Sequence, residues 1–278
     1  MPKSGRPAEC HVRRPGMPLT PFQREVARTL AKNRNPDSLV AGGAVINRGE
    51  AGLRFSDDID IFHETAEAVA LSAEADEKAL RDSGYAVIWT ARRDGLFRAE
   101  VSREAGRLRL DWTTDSAFRF FPAQADDEFG YCLHRADLAT NKVLALAGRN
   151  EIRDFLDILQ LDHDYLSLGT MMWGACGKDP GVTPDLLLQL TNRHSRYQES
   201  ELRTENLARN VDLKQLKLQW LSARDRAEAL FERLPPEDLG CLYLGPTHVP
   251  VTPDPDNQDF PALIRHFGCI RGAWPQIS

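Results

Sequence analysis

The stretch SDDIDIF, residues 56–62, decides the fold of this chain. Acidic and apolar residues alternate in it, which is the period-two pattern of a half-buried β-strand. Residues two apart on a strand point to the same face, so Asp58 and Asp60 project together while the isoleucines enter the core. In this register Asp57 falls on the apolar face. Two carboxylates held close together repel each other unless a cation lies between them, and Mg²⁺ prefers such oxygen ligands. The stretch therefore predicts a magnesium-binding strand with Asp58 and Asp60 as ligands.

A Gly-Gly pair upstream predicts a phosphate-binding turn. It follows a short apolar run, residues 38–41, that fits a strand, and it precedes a short helix expected over residues 44–46. Glycine lets the backbone approach a triphosphate without a Cβ clash, and the helix would point its free N–H groups at the anion. A hydroxyl and a guanidinium just before the acidic strand can add to the same contacts. The residues predicted to bind phosphates on this side are Gly42, Gly43, Arg54 and Ser56.

A third carboxylate, Asp111, lies in the alternating run of residues 107–112. It faces away from the apolar side, on a strand that can pair beside the strand of Asp58 and Asp60. Three acidic groups around one or two metal ions suit in-line nucleotidyl transfer, in which one carboxylate accepts the proton of the attacking hydroxyl. The alternative interpretation, an isolated aspartate on a polar strand face, stays open at this point.

Charged residues on two helices of the second half form the last motif. Asp154 and Asp157 are three residues apart and share a helix face. Lys142 can offer a point charge to a triphosphate, with Arg149 beside it, and Asp154 or Asp157 can hold that lysine in place. Composition alone favours the alternative, a helix surface with ordinary ion pairs.

Periodicity and helix signals divide the chain near residues 130–135 and predict an α+β protein. The first half has a small mixed sheet, and the second half is mainly helical. The predicted strands are 38–41, 57–62, 85–90, 96–102, 107–113 and 241–244. The predicted helices open at Thr20-Pro21 and cover 44–46, 65–82, 137–146, 151–162, 184–193, 200–210 and 213–234. The predicted division is a flexible basic tail over 1–19, an α+β domain over 20–134 and a mainly helical domain over 135–278.

The bulk composition is that of a cytoplasmic protein. The chain has 278 residues, of which 42% are hydrophobic and 27% charged, as in ordinary globular proteins. No apolar run reaches the ~20 residues that a membrane span needs. The start is polar and rich in proline where a signal peptide has its apolar region. The five cysteines are scattered without a C-x-x-C pair, which argues against a zinc site and a disulfide framework.

The charge is distributed unevenly along the chain. The net charge is −6, but residues 1–34 carry +6, which leaves −12 for the remainder. A basic end on an acidic body can contact phosphates. A solvated, partly disordered tail explains the same charges, and both interpretations stay open.

Taken together, these motifs resemble the AbiEii family, the nucleotidyltransferase toxins of abortive-infection and type IV toxin–antitoxin systems, with the MenT toxins as relatives. The resemblance spans residues 38–162. Beyond them it extends only to a helical C-terminal half with a Leu-Tyr-Leu segment. The matching pattern is Gly42-Gly43, Arg54-x-Ser56-x-Asp58-x-Asp60 and Lys142-x6-Arg149-x3-Arg153-Asp154-x2-Asp157.

The resemblance implies a polymerase-β-like nucleotidyltransferase domain followed by a helical domain, with a cleft between them. It implies the transfer of a nucleoside monophosphate from an NTP with release of pyrophosphate, with the 3′ end of tRNA as acceptor and an antitoxin as partner. By resemblance, Ser56 contacts the phosphates, Asp58 and Asp60 bind Mg²⁺ with Asp111 in the third position, Lys142 binds the triphosphate and Asp157 completes the site.

Two alternatives remain from the sequence. The same chemistry can act on a small molecule such as an aminoglycoside, because an acidic body suits a cationic drug. The chain can also be a catalytically inactive binding module. The intact set of Asp58, Asp60 and Lys142 argues against that second alternative.

Overall fold

The computed structural model describes residues 19–49, 52–149, 151–193 and 196–275. The predicted tail lies outside these ranges except for Leu19, which is buried. Within the described ranges, no helix combines the length and the apolar character needed to cross a membrane.

The first half forms a sheet with three helices. The first helix begins where the sequence predicts it, because Thr20 and Gln23 form a capping box at its start. The helices are α1 (Pro21–Ala31), α2 (Gly42–Ile46) and α3 (Ala66–Asp82). The strands are β1 (Leu39–Ala41), β2 (Asp58–His63), β3 (Ala86–Arg93), β4 (Leu96–Arg103), β5 (Gly106–Thr114), β6 (Phe118–Arg119), β7 (Gln124–Asp126) and β8 (Gly130–Cys132).

Seven of these strands form one mixed sheet in the order β3-β4-β5-β2-β1-β8-β7. Strands β2 and β5 are neighbours, as the sequence predicts, and the structure shows that they are parallel, with Asp60 opposite Asp111. Strand β1 is antiparallel to β2 and places Ala41 opposite Asp60, so the glycine pair follows directly beside the acidic strand. The placement predicted for Asp57 is wrong: β2 begins one residue later, and Asp57 is exposed.

The two faces of the sheet differ. Helix α3 packs on one face, against β2, β3, β4 and β5, and covers the large buried residues Leu110 and Trp112. The opposite face carries Asp58, Asp60 and Asp111, because side chains alternate along each strand. The α+β architecture therefore presents its acidic residues on the face away from α3.

The second half is helical, with short strands near its end. Its helices are α4 (Arg135–Arg149), α5 (Ile152–Asp164), α6 (Leu168–Lys178), α7 (Pro184–Leu190), α8 (Glu199–Thr204) and α9 (Leu213–Phe231). Its strands are β9 (Cys241–Leu244), β10 (Ile264–Phe267) and β11 (Cys269–Ile270), and β11 pairs with β6 of the first half.

In this half one helix lies where the sequence predicts none, and one predicted helix is too long. Helix α6 was not predicted, because residues 168–176 are buried all round and show no amphipathic stripe. The helix predicted over 200–210 ends at Thr204. The chain then runs extended, where Phe55 N donates to Asn206 O at 2.7 Å and Ala208 N donates to Leu53 O at 2.9 Å. Backbone pairing with the segment before β2 thus replaces helical hydrogen bonds.

Two hydrophobic clusters correspond to the two halves. One lies between the sheet, α1 and α3, and the other lies among α4 to α9. The second also includes Phe120 and Phe121, so packing crosses the predicted boundary at residues 134/135. The division into domains stays a prediction.

Candidate active site

Three carboxylates lie together where β2 and β5 run side by side. Asp58, Asp60 and Asp111 each have an oxygen within 4.8 Å of an oxygen of the other two. Asp58 and Asp111 are buried, and Asp60 is half-buried. The structure thus brings together the acidic residues that the sequence pattern selects, because the parallel register places Asp60 opposite Asp111.

Asp58 has cationic and hydroxyl partners. Its Oδ1 accepts a hydrogen bond from Ser56 Oγ at 3.2 Å, and its Oδ2 pairs with the Arg109 guanidinium. Arg153 Nη1 lies 3.5 Å from the same oxygen. Burial opposes ionisation, but the charges of Arg109 and Arg153 outweigh it and hold the pKa of Asp58 below its usual value.

Asp111 is held by an arginine on the neighbouring strand. Arg98 lies opposite it on β4 and donates from Nε to Oδ1 and from Nη2 to Oδ2, both at 2.7 Å. This two-point contact fixes the plane of the carboxylate. Asp111 therefore has a defined orientation beside Asp60.

Asp60 differs from its two neighbours. Among the residues that the structure describes, no basic side chain forms an ion pair with it. Burial, together with the charges of Asp58 and Asp111, raises the pKa of Asp60 to about 7. A carboxylate in this position is suited to a cation as its partner.

The glycine pair makes room for side chains of the site. Gly42 has a φ of +73°, and a Cβ there would lie 2.1 Å from Asp60 Oδ2. A Cβ on Gly43 would lie 2.4 Å from Arg54 Nη2 and 3.0 Å from Ser56 Oγ. Helix α2 starts at Gly42, two residues earlier than predicted. The pair therefore lets the backbone approach Asp60, Arg54 and Ser56 closely.

Lys142 projects from α4 toward the same place. Its Nζ lies 2.8 Å from Asp154 Oδ1 and 2.9 Å from Asp157 Oδ2. Arg149 also binds Asp154, with Nε at 2.7 Å from Oδ2 and Nη2 at 2.9 Å from Oδ1. Burial disfavours the ammonium, but Asp157 and Asp154 outweigh burial and raise the pKa of Lys142.

Asp157 connects the lysine to the first half of the chain. Arg54 donates to both of its oxygens, and Asn47 Nδ2 donates to Oδ1 at 2.7 Å. Burial opposes its ionisation, but Lys142 and Arg54 hold its pKa well below the usual range. Both aspartates of α5 thus contact Lys142, and Asp157 alone of the two contacts Arg54.

Two cavities that share several lining residues open at this site. The larger lies between the sheet and α4, has a volume of about 410 Å³, and is within the size range of small-molecule sites. Apolar residues on its walls include Phe62, Leu96, Leu138 and Leu144. The smaller, of about 90 Å³, is lined by Gly43, Arg54, Asp58, Asp60, Arg98, Arg109, Asp111, Lys142, Arg149 and Arg153. The larger cavity thus has partly apolar walls, and the smaller one is lined by charged side chains of both signs.

Four contacts of the site were not predicted. Asn47 follows a short helix and carries no recognisable signal. Arg153 belongs to the matched sequence pattern, but the sequence assigns it no role. Arg109 lies two residues before Asp111 on the same strand, so strand alternation alone predicts that both side chains share a face. Arg98 requires the register of β4 against β5, which the sequence does not give.

Comparison with solved structures identifies the fold. MenT4, a nucleotidyltransferase toxin from Mycobacterium tuberculosis H37Rv, matches with a TM-score of 0.53 over 77% of this chain and 83% of MenT4, at 16% identity. The chain has the nucleotidyltransferase fold. A candidate nucleotidyltransferase from H. pylori matches over 77% of this chain and 95% of its own, with a TM-score of 0.49 and 18% identity. No protein-family model matches the sequence, and no curated protein matches it significantly.

The predicted fold is therefore confirmed, and the resemblance to MenT toxins holds at the level of the fold. In this nucleotidyltransferase fold the three carboxylates occupy the centre of the sheet, and the lysine approaches from α4.

Proposed function

We propose that this protein is a magnesium-dependent nucleotidyltransferase that transfers a nucleoside monophosphate from an NTP to the 3′ end of tRNA. The observation that carries the proposal is the meeting of Asp58, Asp60 and Asp111 within 4.8 Å, at a cleft that Lys142 also lines. Blocking the 3′ end of tRNA stops translation, so the protein would act as a toxin that a cognate antitoxin holds in check.

The carboxylates suit Mg²⁺ by their chemistry. All three offer oxygen ligands, and Asp60 lacks a basic partner among the described residues. Asp58, Asp60 and Asp111 would hold the cation. When bound, it would supply positive charge to the triphosphate and to the attacking oxygen.

Lys142 and Arg149 would bind the triphosphate. Both line the two cavities, and Lys142 stays charged because Asp154 and Asp157 surround its ammonium. The sequence predicts that Arg54 and Ser56 contact phosphates directly. Arg54 already uses Nε and Nη2 for Asp157, so we assign it the role of holding Asp157, and through it Lys142. Ser56 donates to Asp58 and positions that carboxylate.

Asp111 is the carboxylate that would accept the proton of the attacking hydroxyl. It lies on β5, on the other side of β2 from β1 and the glycine pair, and Arg98 binds both of its oxygens. A carboxylate oriented in this way can take a proton at the moment the hydroxyl attacks the α-phosphorus. The pyrophosphate then leaves on the side of Lys142.

A nucleic-acid acceptor fits the site better than a cationic drug. Arg98, Arg109 and Arg153 lie around the carboxylates, and their charge repels a polycation such as an aminoglycoside. MenT4, which shares the fold, is a toxin, and this supports a toxin role. The intact set of Asp58, Asp60 and Lys142 argues against an inactive binding module.

The test is a transfer assay. Purified protein is incubated with Mg²⁺ and each α-labelled NTP, together with total tRNA, an aminoglycoside panel, or no acceptor. The expected result is label on tRNA that EDTA and Asp58→Asn both abolish. Label on a drug would support the small-molecule alternative, and NTP binding without any transfer would support the inactive module. Expression in bacteria should arrest growth with the native protein and not with Asp58→Asn.

A further inference from the structure

Half of the sheet presents an exposed face beside the carboxylates. The meander of β3, β4 and β5 is covered by α3 on one side, where Val101, Leu108 and Leu110 are buried. Ile88 on the other face is 61% exposed, and Arg93 and Arg107 are exposed as well. This second face, which we call the open face, continues directly from Asp111.

Four arginines cross the open face in a diagonal row. Arg107 and Arg109 lie two residues apart on β5. On β4, Arg98 lies opposite Asp111 of β5, and on β3, Arg93 lies opposite Leu96 of β4. Side chains two apart on a strand are about 7 Å apart, and neighbouring strands are about 4.8 Å apart. Consecutive arginines of the row are therefore roughly 7–8 Å apart along the surface.

The row divides into two kinds of arginine. Arg98 and Arg109 contact Asp111 and Asp58, at the centre of the site. In the described part of the chain, neither Arg93 nor Arg107, at the two ends of the row, forms an ion pair. The end arginines consequently offer their full charge to a partner.

The two ends of the row extend beyond the site itself. Arg98 and Arg109 line the same small cavity as Gly43, Lys142 and Arg149, whereas neither Arg93 nor Arg107 lines either cavity. A polyanion that reaches the carboxylates therefore meets positive charge both inside the cavity and along the strand surface that leads to it.

We propose that the open face is the docking surface for the acceptor strand, and that Arg93 and Arg107 bind the phosphates of a nucleic-acid chain whose terminal hydroxyl reaches Asp111. The inference rests on the proposed nucleotidyl transfer and adds the surface that selects the acceptor. Guanidinium groups bind phosphate through two parallel hydrogen bonds, and a spaced row of them matches a repeating anion. Such contacts fix the position of the strand without reading its sequence.

The adjacent residue on β3 supplies a matched control. Arg92 lies on the opposite face of the same strand, with its guanidinium 5.0 Å from the centroid of the Trp89 ring. Arg92→Gln and Arg93→Gln remove the same charge from neighbouring positions. Only the second removes it from the open face.

The experiment measures RNA binding apart from catalysis. A 5′-fluorescent RNA hairpin with a single-stranded 3′ tail is titrated with the full chain, in Mg²⁺ and at several salt concentrations, and a DNA hairpin of the same sequence is run in parallel. Arg93→Gln/Arg107→Gln should bind RNA at least tenfold more weakly, and the slope of log K against log salt should fall by about 1.4, since each single-strand phosphate contact contributes about 0.7. Arg92→Gln should bind as the native chain does.

Two results would overturn the proposal: native affinity and slope in the double variant, or an equal loss in Arg92→Gln. Absence of RNA binding by the native protein would overturn it as well. If the native protein binds DNA more tightly than RNA, the open face is still the docking surface, but the acceptor strand is DNA. Mg²⁺-dependent NTP binding, measured on the same samples, tests the proposed function separately. A chain that binds RNA through the row but never binds NTP would refute the function and leave the surface standing.

Discussion

Asp157 and Arg54 form a buried two-point ion pair that joins the two halves of the protein. Arg54 Nε donates to Oδ1 at 2.9 Å, and Nη2 donates to Oδ2 at 2.8 Å. The aspartate side chain is 0% exposed and the arginine side chain 3%. Because Lys142 also contacts Asp157, the pair fixes the lysine relative to the segment before β2. The site thus depends on a contact between residues 103 positions apart in the chain.

Replacement of Asp157 by asparagine should destabilise the fold. The variant leaves Arg54 and Lys142 buried with one carboxylate fewer, and breaking a buried pair in this way costs about 3–5 kcal/mol. Asp225→Asn, at an exposed position on α9, is the matched control and should stay within about 0.5 kcal/mol of the native protein. Urea unfolding at pH 7 measures both. Equal stability of the two variants would contradict the role given to Asp157.

The same pair has a defined pH dependence. The folded pKa of Asp157 is lowered, so its contribution to stability is fully present above the unfolded value of about 3.9 and is lost as the pH falls toward the folded value. The stability difference between the native protein and Asp157→Asn should therefore be constant from pH 7 to about pH 5 and shrink below about pH 4. If the stability difference grows on acidification, the pKa of Asp157 is not lowered in the folded protein.

Lys142 should decide the affinity for NTP. Lys142→Met removes the ammonium that lines both cavities, while Asp154 keeps Arg149 and Asp157 keeps Arg54. Lys178 is the matched control, because it is equally buried and its Nζ lies 2.8 Å from Asp137 Oδ1, outside the lining of both cavities. Calorimetric titration with Mg²⁺–NTP should show a loss of at least tenfold in Lys142→Met and none in Lys178→Met. The assignment fails if both variants bind NTP as the native protein does.

The acidic strand was predictable because a single short pattern specifies it. Alternation over residues 56–62 places Asp58 and Asp60 on one face, and the same rule places Asp111 on the polar face of its strand. Local periodicity therefore selects the three acidic residues, and the parallel register that places Asp60 opposite Asp111 comes from the structure.

The supporting residues required information that local patterns lack. Arg98 reaches Asp111 through the register of two strands, and Asn47 reaches Asp157 across 110 positions of sequence. Helix α6 escaped prediction because it is buried on all sides, so its sequence has no polar stripe. Each of these features depends on tertiary packing.

Ionised Asp60 should destabilise the metal-free protein although nucleotidyl transfer requires it. Its folded pKa is about 7, above the unfolded value of about 3.9, so its ionisation costs stability as the pH rises between these two values. In EDTA, Asp60→Asn should therefore melt several degrees above the native protein at pH 8, and the difference should vanish near pH 4. The same variant should show no transfer. If the variant melts below the native protein at pH 8, repulsion among the three carboxylates does not destabilise the fold.

Gly42 should tolerate no side chain, because the backbone and Asp60 both exclude a Cβ. Its φ of +73° is strained for other residues, and the added carbon would lie 2.1 Å from Asp60 Oδ2. In Gly42→Ala, Asp60 must move away from Asp58 and Asp111, so nucleotidyl transfer should fall at least a hundredfold and the melting temperature should drop.

Gly148→Ala is the control: it lies at an exposed position of α4, where a Cβ meets nothing within 4 Å. That variant should be fully active and more stable by up to about 1 kcal/mol. If Gly42→Ala keeps its activity while Gly148→Ala behaves as expected, the position of Asp60 does not control the reaction, and its assignment as a metal ligand fails.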